Sequence, residues 1–217
     1  PVARTAMQAA DSLPPVPAVI AIVTIPSPRL APGWYITHRM RATIPQYAAA
    51  PGLRWKAYTQ ASGPRTFGGV YEWASRAAAD RWLDAAWRER VRTSYRPGGR
   101  VRLFEVVAGV EAASLPTTPQ PSFAGMAILQ PVPQPWATAA GRGALDVLKT
   151  ATGLLFGRLL RGETGEMAIL SVWTSKAQAE AGLARANLPA MDPTTKAESF
   201  RVPVFLPPAA VGRSPTP

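Results

Sequence analysis

The sequence contains no cysteine, which excludes disulfides, thiolate metal ligands and cysteine nucleophiles. It holds a single histidine, His38, so no zinc or non-haem iron cluster of the usual His/Cys type can be assembled, and no metal site is expected. No stretch approaches the ~18–20 uninterrupted apolar residues of a membrane span. The best apolar run, Val19 to Ile25, has the length of a strand. There is no basic-then-apolar leader at the start of the sequence, and the expectation is a soluble, cytoplasmic protein. A Walker loop, a GxGxxG turn after a strand and a GxSxG elbow are all missing. Acids are scarce as well: 13 Asp+Glu face 24 Lys+Arg, a net charge of +11. Lysine is nearly absent too, at Lys56, Lys149, Lys176 and Lys196 only. This excess of arginine predicts an acidic protein or an anionic surface as partner. Nucleic acid is disfavoured, because no helix-turn-helix, zinc spacing or aromatic-rich binding motif accompanies the charge.

What is present is apolar material and proline. Hydrophobic residues make up 47% of 217 residues, sufficient for a core and unlike a disordered chain. Prolines divide the sequence. Residues 1–17 read as a Pro-rich arm, 108–121 as a Pro-stiffened linker and 207–217 as a tail. Two blocks of nearly equal length remain, 18–107 and 122–206.

The blocks repeat one another. Trp73-Ala-Ser75-Arg-Ala77-Ala-Ala79 returns as Trp173-Thr-Ser175-Lys-Ala177-Gln-Ala179. Gly52-Leu53 returns as Gly153-Leu154, and Arg100-Val101 with Phe104 as Arg201-Val202 with Phe205. Ala21-Ile22 aligns with Ala127-Ile128. Within block one the patterns predict strands at Ala18–Ile25, Leu53–Gln60, Thr66–Trp73 and Arg100–Val107. A helix is predicted at Trp34–Ala49, interrupted by Pro45. A second helix is predicted over Ser75–Arg92, on the stripe Ala79, Trp82, Leu83, Ala86 and Trp87. In Leu53–Gln60, alternation places Leu53, Trp55 and Ala57 on one face and Arg54, Lys56 and Tyr58 on the other. Block two follows the same βαββαβ plan. A βαββαβ unit carries both helices on one face of its sheet and leaves the other face bare. The expected fold is therefore α+β, with two tandem ferredoxin-like repeats facing each other as an intramolecular dimeric α+β barrel.

Block one carries Pro51-Gly52-Leu53-Arg54-Trp55-Lys56-Ala57-Tyr58, Gly68-Gly69-Val70-Tyr71-Glu72-Trp73, Trp87-Arg88 and Tyr95. These segments resemble the mono-oxygenase branch of the antibiotic-biosynthesis monooxygenase superfamily. The resemblance covers about residues 50–107 and implies a dimeric α+β barrel. Block two lacks the Gly-Gly-x-Tyr and Lys-x-Tyr elements. Its Gly153-Leu-Leu-Phe156-Gly-Arg158, Thr164-Gly165 and Trp173 are loosely similar to the spheroidene monooxygenase family. Haem is implied for some of these relatives. Block two has no His and no Tyr to ligate it, so no cofactor is expected.

The resemblance implies a cofactor-independent monooxygenase-like protein acting on a hydrophobic or aromatic small molecule in the first-repeat cavity. The alternative is a non-catalytic barrel, serving as a ligand-binding or accessory subunit of a larger assembly. The candidate catalytic residues are His38, Lys56 and Tyr58. Lys56 and Tyr58 share a strand face and could stabilise an enolate by charge and hydrogen bonds, and His38 could act as a general base. Trp55, Tyr71 and Trp73 are candidate ligand-binding residues, through stacking. Arg88, Arg90, Arg92 and Arg96, in the densest basic stretch, are candidate partner contacts.

Overall fold

A computed structural model of the chain describes residues 17–28, 30–61, 65–95, 98–132, 139–186 and 197–208. The predicted arm (1–17, apart from Pro17), Arg96 and nearly all of the tail lie outside them.

The elements run β1 (Val19–Pro26), α1 (Gly33–Ala42), α2 (Ile44–Ala48), β2 (Leu53–Ala61), β3 (Thr66–Trp73), α3 (Arg76–Trp82), α4 (Ala85–Ser94) and β4 (Arg100–Glu111) in the first half. The second half comprises β5 (Gly125–Val132), α5 (Ala139–Lys149), β6 (Leu154–Gly162), β7 (Met167–Trp173), α6 (Lys176–Ala186) and β8 (Glu198–Leu206). Both halves have βαββαβ order, with the helical positions of the first half split in two. The strands close into one eight-stranded barrel in the order β1-β3-β2-β8-β5-β7-β6-β4. Each half contributes a four-stranded antiparallel sheet, and the seams are β2–β8 and β4–β6. Closure removes every free strand edge, and an intramolecular dimeric α+β barrel is the result.

Alternation along the strands sorts side chains into three layers. Ile20, Ile22, Trp55, Val70, Phe156 and Phe205 fill the barrel interior with other apolar residues. On the outside, α1–α4 cover the first sheet over Tyr58, Tyr71 and Trp73. The helices of the second half cover the other sheet over Leu154, Leu159 and Trp173.

The pairing register tests the sequence equivalences directly. Trp73 pairs with Leu53 and Trp173 with Leu154. Gly52 and Gly153 both adopt positive φ, 80° and 82°, and each carbonyl accepts a hydrogen bond from the residue after its tryptophan. The other two alignments are slipped. Val19 pairs with Trp73 and Met126 with Trp173, so Ala21 corresponds to Ile128, not Ala127. Phe104 pairs with Ile20 and Gly162, whereas Phe200 pairs with Ala127 and Ala61. Phe104 is thus the counterpart of Phe200, not of Phe205. Short Ala-Ile and Arg-Val words recur by composition, but a one-residue slip would turn every side chain to the wrong face.

Three further expectations are corrected. The single helix over Ser75–Arg92 is two helices, because Asp84 adopts an extended backbone and its carboxylate accepts from the Trp87 N–H at 2.7 Å. Leu83 and Trp87 stay buried, while Ala86 is exposed. Loss of such a cap typically costs about 0.5–2 kcal/mol. Asp84→Ala is expected to lower unfolding stability by about 1 kcal/mol, read as a shift in the denaturant midpoint at unchanged slope. Second, β4 runs to Glu111, four residues into the predicted linker, and pairs with β6 along that length. Third, a bulge at Leu53/Trp55 breaks the alternation of β2. Leu53 lies in the helix-side core together with Tyr58, while Trp55 and Ala57 enter the barrel.

Candidate functional site

The bulge decides which side chains of β2 meet the helices. Beyond it, Lys56 and Tyr58 project to the helix side, beside Tyr71 on β3, which pairs with Lys56. They form the floor of a cavity of about 440 Å³ between the first sheet and its helices. Tyr35, Ile36, Arg39, Met40, Thr43 and Tyr47 supply the wall from α1 and α2. Trp87, Val91, Ser94 and Tyr95 supply the wall from α4. Among the described residues, no Asp or Glu lines it.

Lys56 is 2% exposed. Its Nζ lies 3.0 Å from the centroid of the Tyr47 ring, 3.7 Å from that of Tyr58 and 4.6 Å from that of Tyr71. Two effects oppose each other on this ammonium. Desolvation of a buried charge costs several kcal/mol, while a desolvated cation–π contact returns about 2 kcal/mol. Burial wins, and the Lys56 pKa falls well below the ordinary lysine value. The tyrosines move the other way. Burial pushes the Tyr58 hydroxyl up. Burial likewise raises Tyr71, helped by the neighbouring Tyr47. Thr43 Oγ1 donates to the Met40 carbonyl at 2.8 Å, so in the 3.0 Å contact between the two hydroxyls Tyr58 is the donor.

The Gly68-Gly69 pair has a geometric role here. A Cβ on Gly69 would stand 3.0–3.1 Å from the Tyr71 ring atoms, so its absence lets that ring lie over the sheet. A Cβ on Gly68 would collide with the Val23 carbonyl of β1.

Several predicted site residues lie elsewhere. His38 is exposed on α1: Ile36 and Met40 are buried, and at 100° per residue His38 falls on the opposite face. It is outside the cavity lining. Trp55 is in the barrel interior, stacked on Phe156 at 4.7 Å and donating from Nε1 to Glu72 at 2.9 Å. Trp73 is fully buried in the helix-side core against Tyr71 and Trp82 and does not line the cavity. Tyr71 does. Of the arginines, Arg88 donates to the Leu83 carbonyl, and Arg92 is paired with Glu89 at 2.6 Å. Arg90 is exposed, and Arg96 is outside the described residues. Tyr47 was missed by the sequence reading. It follows Pro45 on a five-residue helix without periodicity, and only the folded chain brings it over Lys56.

Among the described residues, the second half has no equivalent constellation. By register, Lys56, Tyr58 and Tyr71 correspond to Gly157, Leu159 and Ser171. A Cβ on Gly157 would already meet Val110 at 2.9 Å and Leu145 at 3.1 Å, so no lysine fits there.

Comparison with known proteins agrees with this asymmetry. Residues 30–114 match the family described as "Putative mono-oxygenase ydhR", a segment that contains Lys56, Tyr58, Tyr71 and the helices over them. The second half lies outside the match. No curated protein matches the sequence. Among solved structures, the fold resembles that of a protein called "Putative monooxygenase" from Fusobacterium nucleatum, with a TM-score of 0.65 at 8% identity over 88% of this chain and 95% of that one. A protein of the same description from Lactobacillus acidophilus gives 0.60 at 9% identity over 88% and 96%. An anthrone oxidase-like protein gives 0.55 at 12% identity over 93% and 97%. At these identities the likeness is one of fold. The first half resembles the mono-oxygenase family in sequence, and the whole chain shares the fold of these structures.

Proposed function

We propose that the protein oxygenates a hydrophobic aromatic small molecule in the helix-side cavity of its first half, with dioxygen as oxidant and no resident cofactor. The observation that supports this reading is Lys56: an amine with a lowered pKa at the floor of a largely apolar cavity, with no carboxylate among the described lining residues. Such an amine is available in its neutral form as a general base. The fitting substrate carries a methylene activated by flanking rings and a carbonyl, as in an anthrone. Lys56 takes one methylene proton and becomes an ammonium held over the tyrosine faces. The enolate left behind transfers its electron pair to dioxygen in two one-electron steps, forming a C–O bond. The peroxide takes the proton back from Lys56. Loss of the second methylene hydrogen with cleavage of the O–O bond then releases water and leaves a carbonyl. The sum is CH2 + O2 → C=O + H2O. The Tyr47 hydroxyl, which shares a hydrogen bond with Tyr71 on the cavity wall, can orient the substrate oxygen, whereas Tyr58 is committed to Thr43.

The test is oxygen uptake with anthrone as probe, corrected for autoxidation. Wild type should exceed buffer, and Lys56→Met should lose about 10²–10⁴-fold, the range of general-base contributions. His38→Ala should leave the rate unchanged. If wild type binds anthrone but consumes oxygen no faster than Lys56→Met, the oxygenase reading fails and a non-catalytic binding barrel takes its place.

A further inference from the structure

We propose that the rim of the first-half cavity docks onto an anionic lipid surface through the start of α1. Leu30, Trp34 and Tyr35 are 96%, 73% and 43% exposed, and the Trp34 and Tyr35 rings meet edge to face at 6.1 Å. Large apolar side chains grouped in this way on a surface mark an interaction site. Tyr35 also lines the cavity, next to Arg39, so the patch continues into the cavity mouth.

Charge complementarity selects the partner. From Ser12 to Tyr71 the sequence has no Asp or Glu, and the first turn of α1 carries no acid. Arg39 is exposed on the rim. Arg65 is held beside the same turn by a 3.0 Å hydrogen bond from its guanidinium to the Ala31 carbonyl. An indole and an aliphatic side chain flanked by arginines match the depth profile of a membrane interface, apolar groups below the headgroups and cations among the phosphates. An apolar cavity opening at that surface could receive a molecule dissolved in the lipid. No helix among the described residues is long and apolar enough to cross a membrane, and the contact proposed here is peripheral. It goes beyond the oxygenase reading and does not rest on it.

The experiment is co-sedimentation of the full chain with vesicles of phosphatidylcholine alone or mixed with phosphatidylglycerol. Binding is expected to the mixed vesicles, to fall in high salt, and to be weak on phosphatidylcholine alone. Leu30→Ser with Trp34→Ser should reduce the partition coefficient by at least about tenfold, as expected for removing two buried side chains. Arg39→Gln should weaken binding to the anionic vesicles only. All these residues are exposed, and retained far-ultraviolet circular dichroism confirms that the variants fold. No binding to anionic vesicles, or binding that survives loss of Leu30 and Trp34, overturns the proposal. So does Trp34-dependent self-association in sedimentation velocity without vesicle binding, which would assign the patch to a second copy of the chain.

Discussion

Replacing Lys56 by Met should make the protein more stable while it abolishes turnover. The substitution keeps most of the side-chain volume, and core swaps that conserve volume are well tolerated. It removes a polar group held at 2% exposure with aromatic faces rather than a carboxylate around it. Burying a polar group without full compensation costs roughly 1–3 kcal/mol by protein mutational data, and that is the gain expected for Lys56→Met at neutral pH. A residue retained against stability is what a site that trades stability for activity should contain. A loss of stability would mean that the cation–π contacts outweigh desolvation and that Lys56 is a structural ammonium.

The pH dependence gives an independent reading. Lysine in an unfolded chain titrates near 10.4, and in the folded protein burial lowers Lys56 well below that. Between the two values the unfolded state binds more protons, so stability rises with pH. The wild type should therefore gain stability relative to Lys56→Met as pH rises from the lowered Lys56 value to about pH 10, and the difference should level off above that. Tyr58 and Tyr71 are raised in the folded state, so they oppose folding only above the ordinary tyrosine value of about 10. They are present in both proteins and cancel in the difference. Denaturant midpoints of the two proteins across this range check the expectation, and parallel curves would show that Lys56 titrates normally.

The fold was legible because two signals agreed, the recurrence of Trp73-x-Ser75 at Trp173-x-Ser175 and the βαββαβ order. Each tryptophan closes its third strand opposite a bulge that follows a positive-φ glycine, and that geometry depends on specific residues. The fourth-strand match was not so anchored, and register overrode it. Lys56 and Tyr58 could be placed together because they are two apart on a strand. His38 could not be oriented, since the face a helix buries is set by packing and α1 has too weak a stripe to reveal it. Leu53 was misplaced by the bulge, which a pattern of strict alternation cannot anticipate, whereas Trp55 and Ala57 do share the face opposite Tyr58. Tyr47 was invisible for a different reason. Its role depends on a distance across the fold, and no local spacing encodes that.

The same bulge delivers Trp55 to a buried network joining the two halves. Here Arg158→Met is expected to be severely destabilising, although Met fills a similar volume. Glu72 on β3 is 2% exposed and Arg158 on β6 is 3% exposed. Arg158 Nε donates to Glu72 Oε2 at 2.7 Å, and Trp55 Nε1 donates to the same oxygen at 2.9 Å. The rest of the guanidinium donates to Glu111 and to the Val110 and Gly157 carbonyls. Arg54 is half exposed and reaches Glu72 Oε1 at 3.2 Å, too long and too wet to hold the carboxylate alone. Removing one partner of a buried pair leaves an uncompensated charge and costs about 3–5 kcal/mol. Adding Glu72→Gln to Arg158→Met should recover most of that loss, because Gln is neutral and its carbonyl can still accept from Trp55. The coupling between the two positions, read from a double-mutant cycle in denaturant, should therefore be at the upper end of the ~0.5–3 kcal/mol found for interacting neighbours. An additive cycle would mean that Arg158 acts through its contacts with the Val110 carbonyl and Glu111 on β4 rather than through Glu72.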